Sequence, residues 1–432
     1  MATVPLSSCR RGPQPNEDGT VEFLTESQRR EVFTTVLRTL DKKFMGPDAD
    51  TMKLRHEHER EVVGSNSSET FELAMNSMLK QLGASHTGFF NEKHARAAGR
   101  IAIAATLMKA ETGDGTRWMF QDVHPGGVAA QAGIQSGDVL LKIGDNELVP
   151  PDAMPFVLGE TYSITFRRGD GSVSNATLAI PGSKEKQRPM VVPDQVVTAS
   201  RLTDGIGLVR VSMFPGILGM DVARDISQAV AELGCDRLVI DLRGNTGGGI
   251  GCLRLMSQLC SDRRGVGYSV SRDVARKGFD KERLPAFDRI PKSKLGVVPL
   301  IFRFARANRS VAVFTEALGR KLHHGRVAML VNEHSASAAE MVAAFASEYR
   351  LATLVGVKTP GRLVATSAFK VGFGYRVVLP VAAYFTWHGT NLEGRGLVPD
   401  IEEPLSPEAV WSGEDNQLKR AVRCLKEAAT AA

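Results

Sequence analysis

The sequence predicts an α/β protein, and three features of its texture carry that prediction. Strand-like and helix-like patterns alternate from about residue 200 onward. Short strands broken by Gly and Asp crowd residues 97–182, and helical spacing dominates the N-terminal region. With 432 residues, the chain is long enough for two or three domains and at least one large core. Hydrophobic residues make up 43% and charged residues 24%, which excludes a disordered or fibrous chain.

Residues 1–22 are rich in Pro, Gly and polar groups and are expected to form a disordered tail. The N-terminal helical region is drawn at 23–96. Within it, 26–45 places Val32, Val36, Leu37 and Leu40 at helical spacing. A second helix, ETFELAMNSMLKQLG, stops at Gly83, the residue type that tolerates a left-handed helix end. The segment ASHTGFF follows it. Residues 97–182 read as a β-rich module with strands RIAIAATLM, TRWMFQDV, DVLLKIGDNELV, YSITFRR and NATLAI. Residues 183–200, with charge and prolines, form an expected linker. The core occupies 201–432: strands GIGLVRVSMF, DRLVIDLRG, VAMLVNE and ATLVGVKT alternate with helices over 219–234, about 250–261 and 337–350. Buried apolar strands separated by helices argue a parallel sheet. Residues 262–322 carry many charges and no clean period, so they read as an insertion covering part of this core.

The net charge of +6 is a mild excess that gives nucleic-acid binding no support by itself. Five scattered cysteines without a CxxC pair match neither a disulfide framework nor a zinc site, and a reducing compartment fits them best. The first residues lack an apolar signal region and no 18-residue apolar run occurs, so neither membrane insertion nor export is expected. The expected location is cytoplasmic. The sequence specifies no oligomeric state, and no histidine falls in an HExxH pattern or other metal motif.

Two segments carry chemistry. In VAMLVNEHSASAAEMVAAFASEY a buried strand turns tightly into a helix beside two serines, a geometry that presents a hydroxyl near a helix N-terminus. The same residues also spell a capping box, Ser337 with Glu340 three positions on, so nucleophile and cap are both open readings here. In LVIDLRGNTGGG a strand ends in glycines whose amides can turn toward a ligand. Gly247, Gly248 and Gly249 would supply oxyanion donors, or alternatively a loop or phosphate nest, although the Lys and Ser/Thr of a P-loop are missing.

The stretch HPGGVAAQAGIQSGDVLLKIGD resembles the signature of PDZ domains, which capture peptides by strand addition. That resemblance places a carboxylate-holding loop at Ile101, Ala102 and Ile103. The order LVIDLRGNTGGG, LVNEHSASAAE, LVGVKTPGR, LEGRGLVPDI and EDNQLKRA closely resembles the S41 peptidase family, the C-terminal processing proteases and their tricorn relatives, over roughly residues 70–425. The resemblance implies a crotonase-like αβ core with an inserted PDZ-like module, and hydrolysis of peptide bonds by a serine nucleophile. It implies polypeptide substrates, cleaved in many members near their C-termini, and no cofactor.

Carried over motif by motif, the nucleophile is Ser337, and Ala338 with Gly247 and Gly248 forms the oxyanion hole. In the C-terminal processing branch a lysine is the general base, but the matching segment here is TPGRL and that position is Arg362. An arginine stays protonated and cannot serve as the base. Lys358 and Lys370 are nearby but off the motif position. The tricorn-like branch uses a histidine just after a helix, which LGASHTGFF matches with His86 as base and Ser85 as supporting hydroxyl. In the same branch a glutamate completes the set, here Glu393 in NLEGRGLVPDI, orienting Ser85 or polarising the chain to His86. The remaining histidines read as structural: His56 and His58 as a solvated face, His323 and His324 without acidic neighbours, His388 in a loop, and His334 lining the cleft. The rival reading is a non-catalytic peptide- or ligand-binding protein on the same fold, since the common serine/lysine dyad is lost.

Overall fold

The computed structural model describes residues 23–46, 49–92, 102–152, 156, 159–182, 195–216, 219–291, 296, 310–318 and 325–430. In chain order, helices α1 (Glu26–Lys43), α2 (Thr51–Val63) and α3 (Ser68–Lys80) precede strand β1 (Gly88–Asn91). The next segment holds β2 (Ala105–Thr112), β3 (Gly115–Val123), the short helix α4 (Val128–Gln131), β4 (Val139–Ile143), β5 (Asn146–Glu147), β6 (Thr161–Arg167) and β7 (Val173–Ala179). Then come β8 (Val197–Arg201), β9 (Ile206–Val211), α5 (Met220–Leu233), β10 (Arg237–Asp241) and α6 (Cys252–Gln258). They are followed by β11 (Gly265–Ser271), α7 (Arg272–Lys277), β12 (Ala286–Phe287) and β13 (Val311–Phe314). The last segment runs β14 (Arg326–Val331), α8 (Ala338–Glu348), β15 (Thr353–Gly356), β16 (Val364–Gly372), β17 (Tyr375–Thr386), β18 (Ile401–Glu402), α9 (Pro407–Trp411) and α10 (Asn416–Thr430).

These elements divide into two compact units, residues 1–95, 270–278 and 364–383 in one and the remainder in the other. In the first unit, α1 begins at a Thr25/Gln28 capping box and buries Val32, Phe33, Val36, Leu37 and Leu40. Those apolar residues are the ones whose spacing predicts the helix. Helix α2 is not predicted, because its core-facing stripe is only Leu54, His58, Val62 and Val63 within a charged stretch. His58 is therefore buried and not on a solvated face, whereas His56 is exposed. The helices bury their stripes against β17, which pairs antiparallel with both β1 and β16. Phe71 stands edge-on to Phe89 and Tyr375 with ring centroids 5.4 Å away, and those two rings stack at 5.0 Å. The hairpin β16–β17 belongs by contacts to this N-terminal unit, although the sequence assigns it to the core.

The second unit contains the β-rich module and the α/β core. In the module, β2-β3-β4-β6-β7 form an antiparallel sheet, with β5 beside β4. Its interior is the cluster around Phe120, Leu140, Phe156, Ile164 and Phe166. Of the expected carboxylate-holding loop, Ile101 lies outside the described residues, while Ala102 and Ile103 are buried in that interior. The linker is shorter than its predicted 183–200, since β8 pairs with β9 from Val197 on. The expected tail at 1–22 lies outside the described residues, as does linker segment 183–194.

The core sheet runs β18-β15-β14-β10-β9-β8, parallel except for β8. Its strands are apolar on both faces because both are covered. Val209, Val211, Leu238, Ile240, Met329 and Val331 pack toward α5, α6 and α8, and the alternate residues Val239, Ala328, Leu330 and Val355 pack toward Ala421 and Leu425 of α10. Within the expected insertion 262–322, β11, β13 and β12 form sheet structure, and the buried Glu316 ties it to α6 through Arg254 and Ser257.

A row of alternating charges, half-buried except for the buried Asp241, joins module, sheet and C-terminal segment. Asp122 at the end of β3 pairs with Arg210 of β9; Arg210 faces Asp241 of β10 at 3.8 Å; Asp241 and Asp415 both grip Arg243, at 2.8 and 2.7 Å. Burial alone would raise the Asp241 carboxyl, but the Arg243 and Arg210 guanidiniums outweigh it and hold the group at about 2. Trp411 completes the link, donating Nε1–H to Gly137 O at 2.9 Å and packing with Val410 on the module's Met119 and Val139.

Two outcomes follow from this packing. Phe71→Ala removes the ring that both Phe89 and Tyr375 abut, and should cost about 3–5 kcal/mol in denaturant unfolding, while Leu73→Ala at an exposed site should stay within about 0.5 kcal/mol. Because the folded Asp241 carboxyl lies below its ordinary 3.8, its stabilisation is full above pH 4 and fades as pH falls toward 2. Wild type should lose roughly 2 kcal/mol more than Asp241→Asn across that window; parallel acid limbs for the two proteins would contradict the assignment.

Candidate active site

The loops that leave the carboxyl ends of β10 and β14 lie side by side, and the residues singled out in GNTGGG and SASAA sit on them. Ser337 is the joint between β14 and α8, with φ 57° and ψ −117°, a conformation that non-glycine residues adopt only when the surroundings impose it, at a cost of order 1–3 kcal/mol. This is the sharp strand-to-helix turn that lifts a serine hydroxyl out of a sheet.

The surroundings that impose it are hydrogen bonds from buried polar side chains. Ser335 donates its hydroxyl to Leu242 O at 2.8 Å and accepts Asn332 N–H at 2.9 Å. Asn332 Oδ1 accepts the amides of Gly244 and His334, at 3.0 and 3.1 Å, so one side chain spans both loops. The Ala336 amide donates to Asn245 O at 2.9 Å. Small residues are required where the loops touch: a Cβ on Gly247 would stand 2.7 Å from Ser337 Cβ, and one on Gly248 would stand 2.0 Å from Phe214 O.

The backbone amides around Ser337 divide clearly. Gly247 N–H donates to Asn245 Oδ1 at 2.8 Å. The Phe214 strand end holds Gly247 O and Gly249 N–H, at 3.0 and 2.7 Å. Gly248 N–H and Ala338 N–H have no acceptor among the described residues. Of the three predicted oxyanion residues, Gly248 and Ala338 thus offer open donors, while Gly247 contributes the absence of a side chain against the nucleophile turn.

Glu340 is the half of the capping box that the structure uses most. Fully buried, its carboxylate accepts four hydrogen bonds: Ser337 N–H at 3.1 Å, Arg362 N–H at 2.8 Å, Gly361 N–H at 2.8 Å and the Thr359 hydroxyl at 2.7 Å. The TPGR loop is thereby tied to the backbone of Ser337, and the Arg362 side chain is exposed. Glu393 continues the chain, its Oε2 accepting Leu363 N–H at 3.0 Å. Lys358 and Lys370 are both exposed. Sequence reasoning sees Glu340 only as a cap and misses Asn332, directly after β14, and Asn245, four residues beyond the end of β10.

In the N-terminal unit, the turn after α3 puts Ser85 Oγ 2.7 Å from His86 Nδ1. His86 itself has φ 61°, and its ring is exposed. His388 lies beside Glu348 at 3.6 Å, and His334 bonds through Nε2 to Leu107 O at 2.9 Å. His323 and His324 lie outside the described residues. Among the described residues no group of His, Cys, Asp and Glu is arranged to hold a metal ion, and no helix is long and apolar enough to cross a membrane.

Comparison with known proteins gives this geometry a lineage. Residues 205–403 match the description of peptidase family S41, and residues 119–153 that of a PDZ domain. A carboxyl-terminal-processing protease of Synechocystis sp. is 28% identical over 229 residues, covering 52% of this chain and 45% of the relative. A putative tricorn protease homolog 2 of Streptomyces coelicolor is 24% identical over 383 residues, covering 84% of this chain and 29% of the relative. The matches span 45%, 65% and 56% of three carboxyl-terminal processing proteases' own lengths. Among solved structures, the photosystem II D1 C-terminal processing protease superposes with TM-score 0.53 at 18% identity, covering 90% of this chain and 97% of that one. Mature CPAF complexed with lactacystin gives 0.56 at 13% identity, covering 94% and 98%. These likenesses bear out the α/β core, the helical N-terminal region and the PDZ-like module as a fold, with residues 205–403 similar to peptidase family S41 and residues 119–153 similar to a PDZ domain.

Proposed function

We propose that this protein is a serine endopeptidase that cleaves unstructured polypeptides through an acyl-enzyme, including cleavage near C-termini. The observation that carries the reading is the strained turn at Ser337 with two open amides, Gly248 N–H and Ala338 N–H, beside it. Such donors stabilise the oxyanion of a tetrahedral intermediate, each worth about 3 kcal/mol in comparable sites. Ser337 Oγ attacks the scissile carbonyl carbon; its proton passes to the base and then to the leaving amine as the C–N bond breaks. Water, deprotonated by the same base, releases the acyl group.

His86 takes the role of base. As base it donates Nδ1–H to Ser85 Oγ, leaving the Nε2 lone pair to accept a proton. The exposed Arg362 supports this choice, since the lysine of the common dyad is absent at that position. Glu393 is assigned a supporting part, holding the 362–363 backbone on which Glu340 also pulls. The four described cysteines are free thiols, in keeping with a reducing compartment, and the cytoplasm is the proposed location.

Ser337→Ala should lower turnover of an unfolded protein substrate about 10⁶-fold, as loss of an activated serine does elsewhere, and should abolish labelling by a fluorophosphonate. Wild-type turnover in that variant would leave a binding protein on the same fold as the reading. Turnover of the parent should rise with pH through the neutral range, as a histidine base requires, and vanish in His86→Ala without rescue by Arg362→Lys; full activity in His86→Ala with loss in Lys358→Ala would move the base to the lysine. Glu340→Ala strands four donors and should cost about 2–4 kcal/mol while slowing Ser337 labelling, whereas Glu340→Gln, which still accepts, should keep part of both.

A further inference from the structure

Strand β2 is the edge of the module's sheet: it pairs with β3 on one side, and no other strand pairs with it among the described residues. The Ala104 carbonyl accepts His124 N–H on the β3 side. Since peptide groups alternate along a strand, those of Leu107 face the other way, along the free edge. An extended peptide adding to this sheet needs that edge, because its affinity comes from main-chain hydrogen bonds.

The free edge already has a partner from within the chain. His334 Nε2 stands 2.9 Å from Leu107 O, and the acceptor is a carbonyl, so the ring nitrogen is the donor. His334 lies three residues before Ser337 on the same turn, and its own amide is held by Asn332 Oδ1, which also holds Gly244 of the glycine loop. Gly244 in turn packs against the module: a Cβ there would lie 2.8 Å from Asp122 Oδ2 and 3.4 Å from Thr106 Cγ2. Both active-site loops therefore rest on β2 and β3, and the directional contact between them is the His334 bond.

We infer that His334 is a positioning residue that anchors the nucleophile turn on the Leu107 carbonyl, and that an extended peptide adding to β2 competes with the turn for this carbonyl. The inference rests on the peptidase reading for its kinetic part. A turn that must hold Ser337 in a strained conformation loses one of its fixed points when the bond breaks, and small displacements of reacting groups reduce turnover steeply. A peptide on β2 is then an inhibitor of the chemical step, and its binding is weakened by the turn it must displace.

The test uses the full chain in two arms. For binding, a fluorescein-labelled decapeptide of alternating Ser and Val is titrated by anisotropy against Ser337→Ala protein carrying His, Ala or Gln at 334. For kinetics, a short peptide p-nitroanilide is hydrolysed by the corresponding chains with Ser337 intact. His334→Ala should bind the decapeptide about tenfold more tightly and lower kcat about tenfold with KM unchanged. His334→Gln, whose amide N–H reaches the same carbonyl, should restore both values toward the parent. Equal affinity in all three chains, no binding in any, or an unchanged kcat in His334→Ala would overturn the inference. If the parent hydrolyses nothing, the peptidase reading fails, and the binding arm still decides whether the carbonyl is shared.

Discussion

Everything in the site hangs on a single buried carboxylate. Glu340 gathers donors from the nucleophile's backbone and from a loop some twenty residues further on, and it does so where no water competes. A buried carboxylate without partners would be unstable, so the four bonds and the burial depend on each other. The consequence is mechanical: Ser337 cannot relax out of φ 57° without releasing its amide from Glu340, and Glu340 cannot turn without releasing residues 359–362. Strain at the nucleophile is held by satisfied polar groups, not by bulky packing, which is why the residues around it are Ala, Ser and Gly.

The same bonds fix the loop that carries Arg362. The backbone of the TPGR loop is held by Glu340 regardless of what side chain stands at 362, and the guanidinium simply points outward. The base proposed above lies elsewhere in the chain, in the Ser85–His86 pair after α3, where Ser85 Oγ is 2.7 Å from His86 Nδ1.

How much of this was legible in the sequence varies with the physics involved. The sheet and its helices were readable because burial on both faces leaves uninterrupted apolar strands, and because α5 and α8 start and stop where their apolar stripes do. Helix α2 was hidden by its charge, and with it the burial of His58. The hairpin β16–β17 was assigned to the wrong body because contact partners distant in sequence leave no local pattern. At the site, Ser337 and the glycines were visible as motifs, but the division of labour among the amides was not: whether Gly247 N–H faces a substrate or Asn245 is decided by one side-chain rotamer. The clamps Asn332 and Asn245 carry no periodicity and act through backbone groups.

The Trp411 clasp has a consequence in time. Its acceptor, Gly137, lies 274 residues earlier in the chain, so the link closes only after that whole stretch has been made. At typical synthesis rates the stretch from β7 to Trp411 takes roughly 10–50 s to emerge. Until Trp411 and Asp415 are made, Met119 and Val139 lack that part of their cover and Arg243 lacks its second carboxylate partner. The turn at Ser337 is made before the segment that clasps the module, so a nascent chain passes through a stage with Ser337 present and the Trp411 bond to Gly137 not yet formed.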